Sequence, residues 1–480
     1  MKQQVKYSWL SYLVVVCFAL QIWAFFQFNY SYTFYYKEQN QLFLLTSDYV
    51  MSYSSRPAWA ACLVGDFLTQ LFFYMYAGAA VFALLVLALG ASTCFTMKKL
   101  GYNRWVALLL TVGVMGYAAS CNFDPQYLMS SMLCLQGGVL MALIYTMVSG
   151  LSPFSRSVSL FVLGVLALWM FNWGVVVFLL MVLTGEAISA YLSRKVRRVS
   201  GPLIVAVMLI AVYLKSDIFY PVNPDTCRTY PGLGKPIMPR SDLEDYLEAD
   251  NLYYFGRYDE LIEKVSKMDN PSREVSFFYY LAKARRGELP YSINSVKPVN
   301  LGTLYNIGPE SSTVEIKMVA ELYFALGDMT MAEREALLSC VFSRDNRNVR
   351  MIKRLAEVNL VAGDDEAAMK YLRILDNTLA YSRWSKANRP GHFSPRLRSM
   401  QQYMVKDDTI RVSTNCRDIL TTLLKANPRN RMALDYLLCT DYLVGARDMF
   451  VDDMQQYYIP YYGNPVVPMY RELYKAKDRK

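Results

Sequence analysis

The sequence predicts an all-α protein: a polytopic helical membrane domain of about seven spans, followed by an α-helical repeat domain. Three observations carry this expectation. Hydrophobic residues make up 54% of the 480 and charged ones only 19%, less charge than a soluble chain of this length usually holds. The charge is unevenly divided: residues 1–214 hold 12 Lys and Arg against 5 Asp and Glu, and the remainder 38 against 35. Beyond residue 241 the apolar patterns are helical and come in pairs, each pair broken at a glycine.

Seven apolar stretches read as spans: 8–28, 70–95, 105–120, 128–148, 157–171, 174–192 and 201–215. Each is long enough to cross, or nearly so, at about 1.5 Å of rise per residue. The first follows Lys2 and Lys6 and has no small-residue cleavage site, so it reads as a retained span and not a removed signal. Residues 57–95 exceed one crossing, so PAWAACLVGDFLTQ is expected to form an external helix leading into the second span. Spans five and six are divided at Asn172-Trp173-Gly174. Charge favours the division. With seven spans and a cytoplasmic N-terminus, ten of the twelve basic residues stay inside, and only Lys37 and Arg56 fall outside. Merging the two spans would export Arg194, Lys195, Arg197 and Arg198, against the positive-inside tendency.

The resulting organisation is a transmembrane domain over 1–220 with an external loop at 29–69, a Pro- and Gly-rich linker at 221–240, and a periplasmic helical domain at 241–480. The charge pattern thus puts the C-terminal domain across the membrane from a cytoplasmic N-terminus. The basic excess is explained by membrane topology, so no nucleic-acid partner is expected. Membrane cysteines read as small buried apolar residues. Cys227, Cys340, Cys416 and Cys439 could pair in an oxidising compartment, but their spacing does not decide it. The single histidine, His392, reads as a turn or packing residue, and a His-rich metal site is excluded.

The exported half repeats one form. Helical stretches meet at Gly256, Gly327, Gly363 and Gly445, where a left-handed residue ends one helix and lets the next fold back. Gly327 to Gly363 is 36 residues, Gly256 to Gly327 is 71, and Gly363 to Gly445 is 82, so the register breaks near SRWSKANRPGHFSPRLRSMQQY. These blocks resemble tetratricopeptide repeats. The resemblance implies stacked helical hairpins that bind protein segments, here partners in the cell envelope.

No phosphate-binding glycine loop, GxSxG or HExxH occurs. Candidate chemistry rests on the external acids Glu38, Asp48, Asp66 and Asp124, four of the five acids of the membrane half. YYKEQNQLFLLTSDYVMSYSSRPAWAA followed by FLTQLFFYMYAG resembles the layout of GT-C glycosyltransferases, which use polyprenyl-phosphate-linked sugars. By that resemblance Glu38 or Asp48 would be the catalytic base and Asp124 would assist, with or without a divalent metal. Arg56 and Asp66 would meet the donor. The paired-acid signature common in that class is absent. Without the resemblance, no cofactor is implied. KEQNQLF, FLTQLFFY and the repeat-like C-terminus also resemble an uncharacterised family of Gram-negative inner-membrane proteins, a likeness that implies a bacterial inner-membrane location, with the C-terminal domain in the periplasm, and this architecture, but no activity. Two readings stay open: an interaction protein displaying a helical domain, and a glycosyltransferase. A transporter is a weaker third, since the spans hold few ionisable residues.

Overall fold

A computed structural model describes residues 8–148, 152–193, 200–220, 222–297, 299–305, 313–404 and 415–475. Helices account for all its regular structure, and no strand occurs among the described residues. The chain divides into two compact units, residues 1–38 with 43–240 and residues 39–42 with 241–480.

The first unit holds six helices long and apolar enough to cross a membrane. They are α1 (Ser8–Asn29), then, after the short helices α2 (Tyr32–Gln39), α3 (Ser47–Met51) and α4 (Trp59–Thr69), α5 (Ala77–Lys99), α6 (Arg104–Cys121), α7 (Met129–Val148), α8 (Pro153–Phe171) and α9 (Gly174–Ser193). The seventh expected span is α10 (Ser200–Leu214), apolar but only 15 residues long. Leu84, Leu109, Leu180 and Val207 point outward and are exposed, the surface a hydrocarbon environment requires. The membrane-spanning α5 starts later than expected, at Ala77 and not at residue 70. The cause is a break: Tyr74 is extended and Tyr76 is left-handed at φ 68°. The expected lead-in helix is therefore present as α4, separate from the span.

Asn172 turns the chain between α8 and α9, with φ 46°. Its side-chain amide donates to the carbonyls of Cys227 at 2.7 Å and Tyr230 at 2.9 Å. Residues 222–240 carry only the short helix Pro224–Cys227 and are tied to the first unit; Tyr117 Oη also donates to the Gly234 carbonyl at 2.9 Å. α7 and α9 approach closely because both are glycine at the crossing. A Cβ on Gly138 would lie 2.3 Å from the Gly174 carbonyl oxygen, the small-residue contact by which membrane helices pack. Lys98 and Lys99 end α5, Arg104 starts α6 and Arg156 lies in the first turns of α8. Arg156 pairs with Glu186 at 3.4 Å, and Leu100, the residue after α5, packs against Gly185, so these basic residues gather at one end of the bundle. Lys2, Lys6 and the basic residues at 194–198 lie outside the described residues.

In the second unit, α11 (Ser241–Tyr254) pairs with α12 (Tyr258–Ser266), and α13 (Arg273–Arg285) with the short α14 (Leu289–Ser292). Next come α15 (Thr313–Leu326) with α16 (Met329–Val341) and α17 (Val349–Ala362) with α18 (Asp365–Asp376). α19 (Cys416–Ala426), α20 (Arg431–Leu443) and α21 (Arg447–Asp453) follow. Gly256, Gly327, Gly363 and Gly445 all have positive φ, from 71° to 87°, as a turn between antiparallel helices requires. Gly287 does the same between α13 and α14, a pair the sequence reading passed over. The irregular spacing before Gly445 has a packing reason. α20 is buried from Met432 to Asp441 and packs on α13, α14 and α15 as well as on its neighbours α19 and α21. The last hairpin therefore docks against earlier ones and does not simply extend the row. His392 closes a turn by two backbone bonds with Arg389, each 2.8 Å. No disulfide joins any of the nine cysteines, all of which lie among the described residues.

Candidate functional site

The polar run between the first two long helices distributes its side chains in two directions. Lys37, on α2, belongs to the first unit and is buried. Its ammonium donates to Asn122 Oδ1 at 2.6 Å and to the Asn122 carbonyl at 3.2 Å. Burial pushes its pKa down to about 7, against the pull of nearby Asp124. Asp124 itself caps a turn, its Oδ1 accepting from the Gln126 amide at 2.9 Å. So the first and second expected external loops meet at Lys37, a residue the sequence reading assigned no role. Its neighbour Glu38 is 4% exposed.

A second cluster centres on Tyr53. Its hydroxyl donates to Asp66 Oδ2 at 2.9 Å, and the Arg56 guanidinium lies 4.8 Å from its ring centre. Arg56 and Asp66 are therefore linked through one buried tyrosine, with Tyr49 packed edge-on at 5.6 Å. Asp48 is exposed on α3. Of the five residues expected to act together, Arg56 and Asp66 gather at Tyr53, Asp124 lies by Lys37, and Glu38 and Asp48 differ in both element and environment. No group of three or more His, Cys, Asp or Glu able to hold a metal occurs among the described residues.

Residues Gln39–Leu42 belong to the second unit and reach its most highly charged interior. Arg350, in the first turn of α17, is 1% exposed. It donates to Asp250 Oδ2 at 2.7 Å, Glu321 Oε1 at 3.2 Å and Gln39 Oε1 at 3.0 Å. Its guanidinium also covers the Tyr254 ring at 4.6 Å. Arg354 pairs with the other Glu321 oxygen and with Glu357, both at 2.5 Å. Burial would raise the Glu357 pKa, but Arg354, Lys353 and Arg396 hold it at about 2. Lys317 lies in the same interior, and burial lowers it to about 7 although Asp250 and Glu321 oppose that. Arg350, Lys353 and Arg354 lie in the first half of α17, where cations run against the helix dipole; Asp250 of α11, Glu321 of α15 and Glu357 of α17 itself hold them.

Sequence reasoning missed this cluster because amphipathic patterning assigns charges to the solvent face. The available signal was a pair of four-residue spacings, Lys317 to Glu321 and Arg350 to Arg354, inside helices rich in apolar residues. A family model described as a family of unknown function (DUF6057) matches residues 5–473. No curated protein and no solved structure matches the chain.

Proposed function

Because the chain belongs to the family of unknown function DUF6057, we propose its role from its own geometry. It is a multi-pass inner-membrane protein that holds a helical domain on the periplasmic side and binds envelope proteins through it. The observation that carries this reading is the membership of Gln39–Leu42 in the second unit. These residues follow the first long helix, so the second unit shares their side of the bilayer. An even number of crossings must then separate residue 42 from residue 241. α5 to α9 supply five, and α10 supplies the sixth, although at 15 residues it covers about 22 Å of a hydrocarbon core about 30 Å thick. Local thinning accommodates such a mismatch. Lys98, Lys99, Arg104 and Arg156 at the opposite end support a cytoplasmic N-terminus.

The partner-binding part rests on the paired helices and their glycine turns, which resemble tetratricopeptide hairpins and would present protein-binding surfaces. Reporter fusions test the topology. Alkaline phosphatase joined after Lys480 should be active and green fluorescent protein there dark; the reverse pattern sinks the reading. Glycosyl transfer from a polyprenyl-linked donor ranks second. Its one favourable feature is the Arg56–Tyr53–Asp66 cluster, and its expected acids Glu38 and Asp48 share neither an element nor an environment. Loss of function in a folded Glu38→Gln protein would reverse this ranking.

A further inference from the structure

Four residues made before the second long helix are held in the second unit as a bound peptide would be. Gln39 is 1% exposed. Its side-chain amide donates to Asn251 Oδ1 at 2.8 Å, and its oxygen accepts from Arg350 Nη1 at 3.0 Å. The orientation is fixed from both sides. Asn251 donates its own amide to the Leu247 carbonyl at 2.7 Å, which leaves its oxygen for Gln39. Arg350 can only donate. A glutamate at 39 has no proton for Asn251, and an alkyl group answers neither partner. Asn40 Oδ1 accepts from Asn348 Nδ2 at 3.1 Å. The Gln41 carbonyl accepts from the Val349 amide at 3.3 Å, one of the amides that a helix start leaves without an internal acceptor. Leu42 is buried.

We propose that Asn251 of α11 and Asn348–Arg350 at the start of α17 form a peptide-reading cradle. It is selective for a Gln-Asn-Gln-Leu segment, is filled in cis by residues 39–42, and accepts a peptide of that chemistry in trans. This deepens the partner-binding reading and rests on it only for the existence of a partner. The side chains read a primary amide at the first position, backbone bonding sets the third, and the fourth is buried.

The test uses the full chain in detergent micelles, carrying Gln39→Gly, Asn40→Ser, Gln41→Gly and Leu42→Ser together. The probe is a labelled peptide of sequence YKEQNQLFLL, followed by fluorescence anisotropy. The emptied protein should bind it saturably, at least about tenfold more tightly than the native chain does. A peptide with Glu in place of the first Gln should lose that advantage. No binding to the folded variant, equal binding to the native chain, or indifference to the Gln-to-Glu change would each overturn the proposal. Should the fourfold variant lose its helical signal, Asn40→Ser alone serves. Its Val349 amide must exchange faster than in the native protein and be slowed again by the peptide, and unchanged exchange overturns the cradle. A cytoplasmic Lys480 reporter together with peptide binding would sink the display reading and leave the cradle standing. The converse result would do the opposite.

Discussion

Replacing Arg350 with methionine removes the side chain that joins three elements of the second unit. In the native protein it reaches Asp250, Glu321 and Gln39 at 2.7, 3.2 and 3.0 Å. Glu321 would retain Arg354 at 2.5 Å, so Asp250, whose side chain is 2% exposed, bears most of the loss. Breaking a buried ion pair from one side costs roughly 3–5 kcal/mol, because the remaining charge keeps its desolvation penalty. For a unit of about 240 residues each kcal/mol moves Tm by about 2–4 °C, so Arg350→Met should lower it by about 6–20 °C. Hydrogen exchange of the full chain in micelles, followed by mass spectrometry at rising temperature, separates peptides of 241–475 from those of 77–148. Only the former should lose protection early. Adding Asp250→Asn should recover much of the loss, since it neutralises the stranded carboxylate. A drop below about 1 kcal/mol, or no recovery in the double variant, would refute the assignment of this cluster as the electrostatic centre of the unit.

Other outcomes follow from single contacts. Gly327→Ala should destabilise far more than Gly363→Ala. Both adopt positive φ, but a Cβ at 327 would lie 2.2 Å from the Tyr403 carbonyl oxygen, whereas none of the described atoms lies within 4 Å at 363; thermal unfolding of the two variants compares them. Tyr53→Phe should cost about 1.5–3 kcal/mol by leaving buried Asp66 without that donor, while Asp48→Asn at an exposed site should stay within about 0.5 kcal/mol. Lys37 is lowered by burial from 10.5 to about 7. Between those values the unfolded chain binds more protons, so its contribution to stability rises with pH there and its penalty is complete below about 7. Lys37→Met should flatten that rise in a pH series of Tm values, and an unchanged slope would contradict the burial argument.

Much of the fold was legible in local chemistry. The lead-in helix before the second span followed from a length too great for one crossing, and the break at Asn172 from a polar, glycine-flanked interruption. Gly256, Gly327, Gly363 and Gly445 marked their turns because only glycine takes that backbone conformation cheaply. What the residues did not reveal was long-range. Nothing near Gln39 in sequence shows that its amide meets Arg350, 311 positions later. Periodicity likewise gives no sign that Lys317 and Arg354 are buried; that depends on how α15 and α17 pack against their neighbours. Glu38, Asp48, Asp66 and Asp124 were grouped by the side of the bilayer expected for them, but each one's surroundings depend on side-chain contacts that spacing does not encode.

The most direct test puts a photoreactive amino acid at position 41 of the full chain in intact cells and maps the crosslinked site by mass spectrometry. Crosslinks to residues around Asn348 and Val349 are predicted, since the Gln41 carbonyl meets the Val349 amide at 3.3 Å. Crosslinks confined to residues 43–240 or to lipid would contradict the claim that the first loop completes the second unit, and the sixth crossing inferred from it would fall as well.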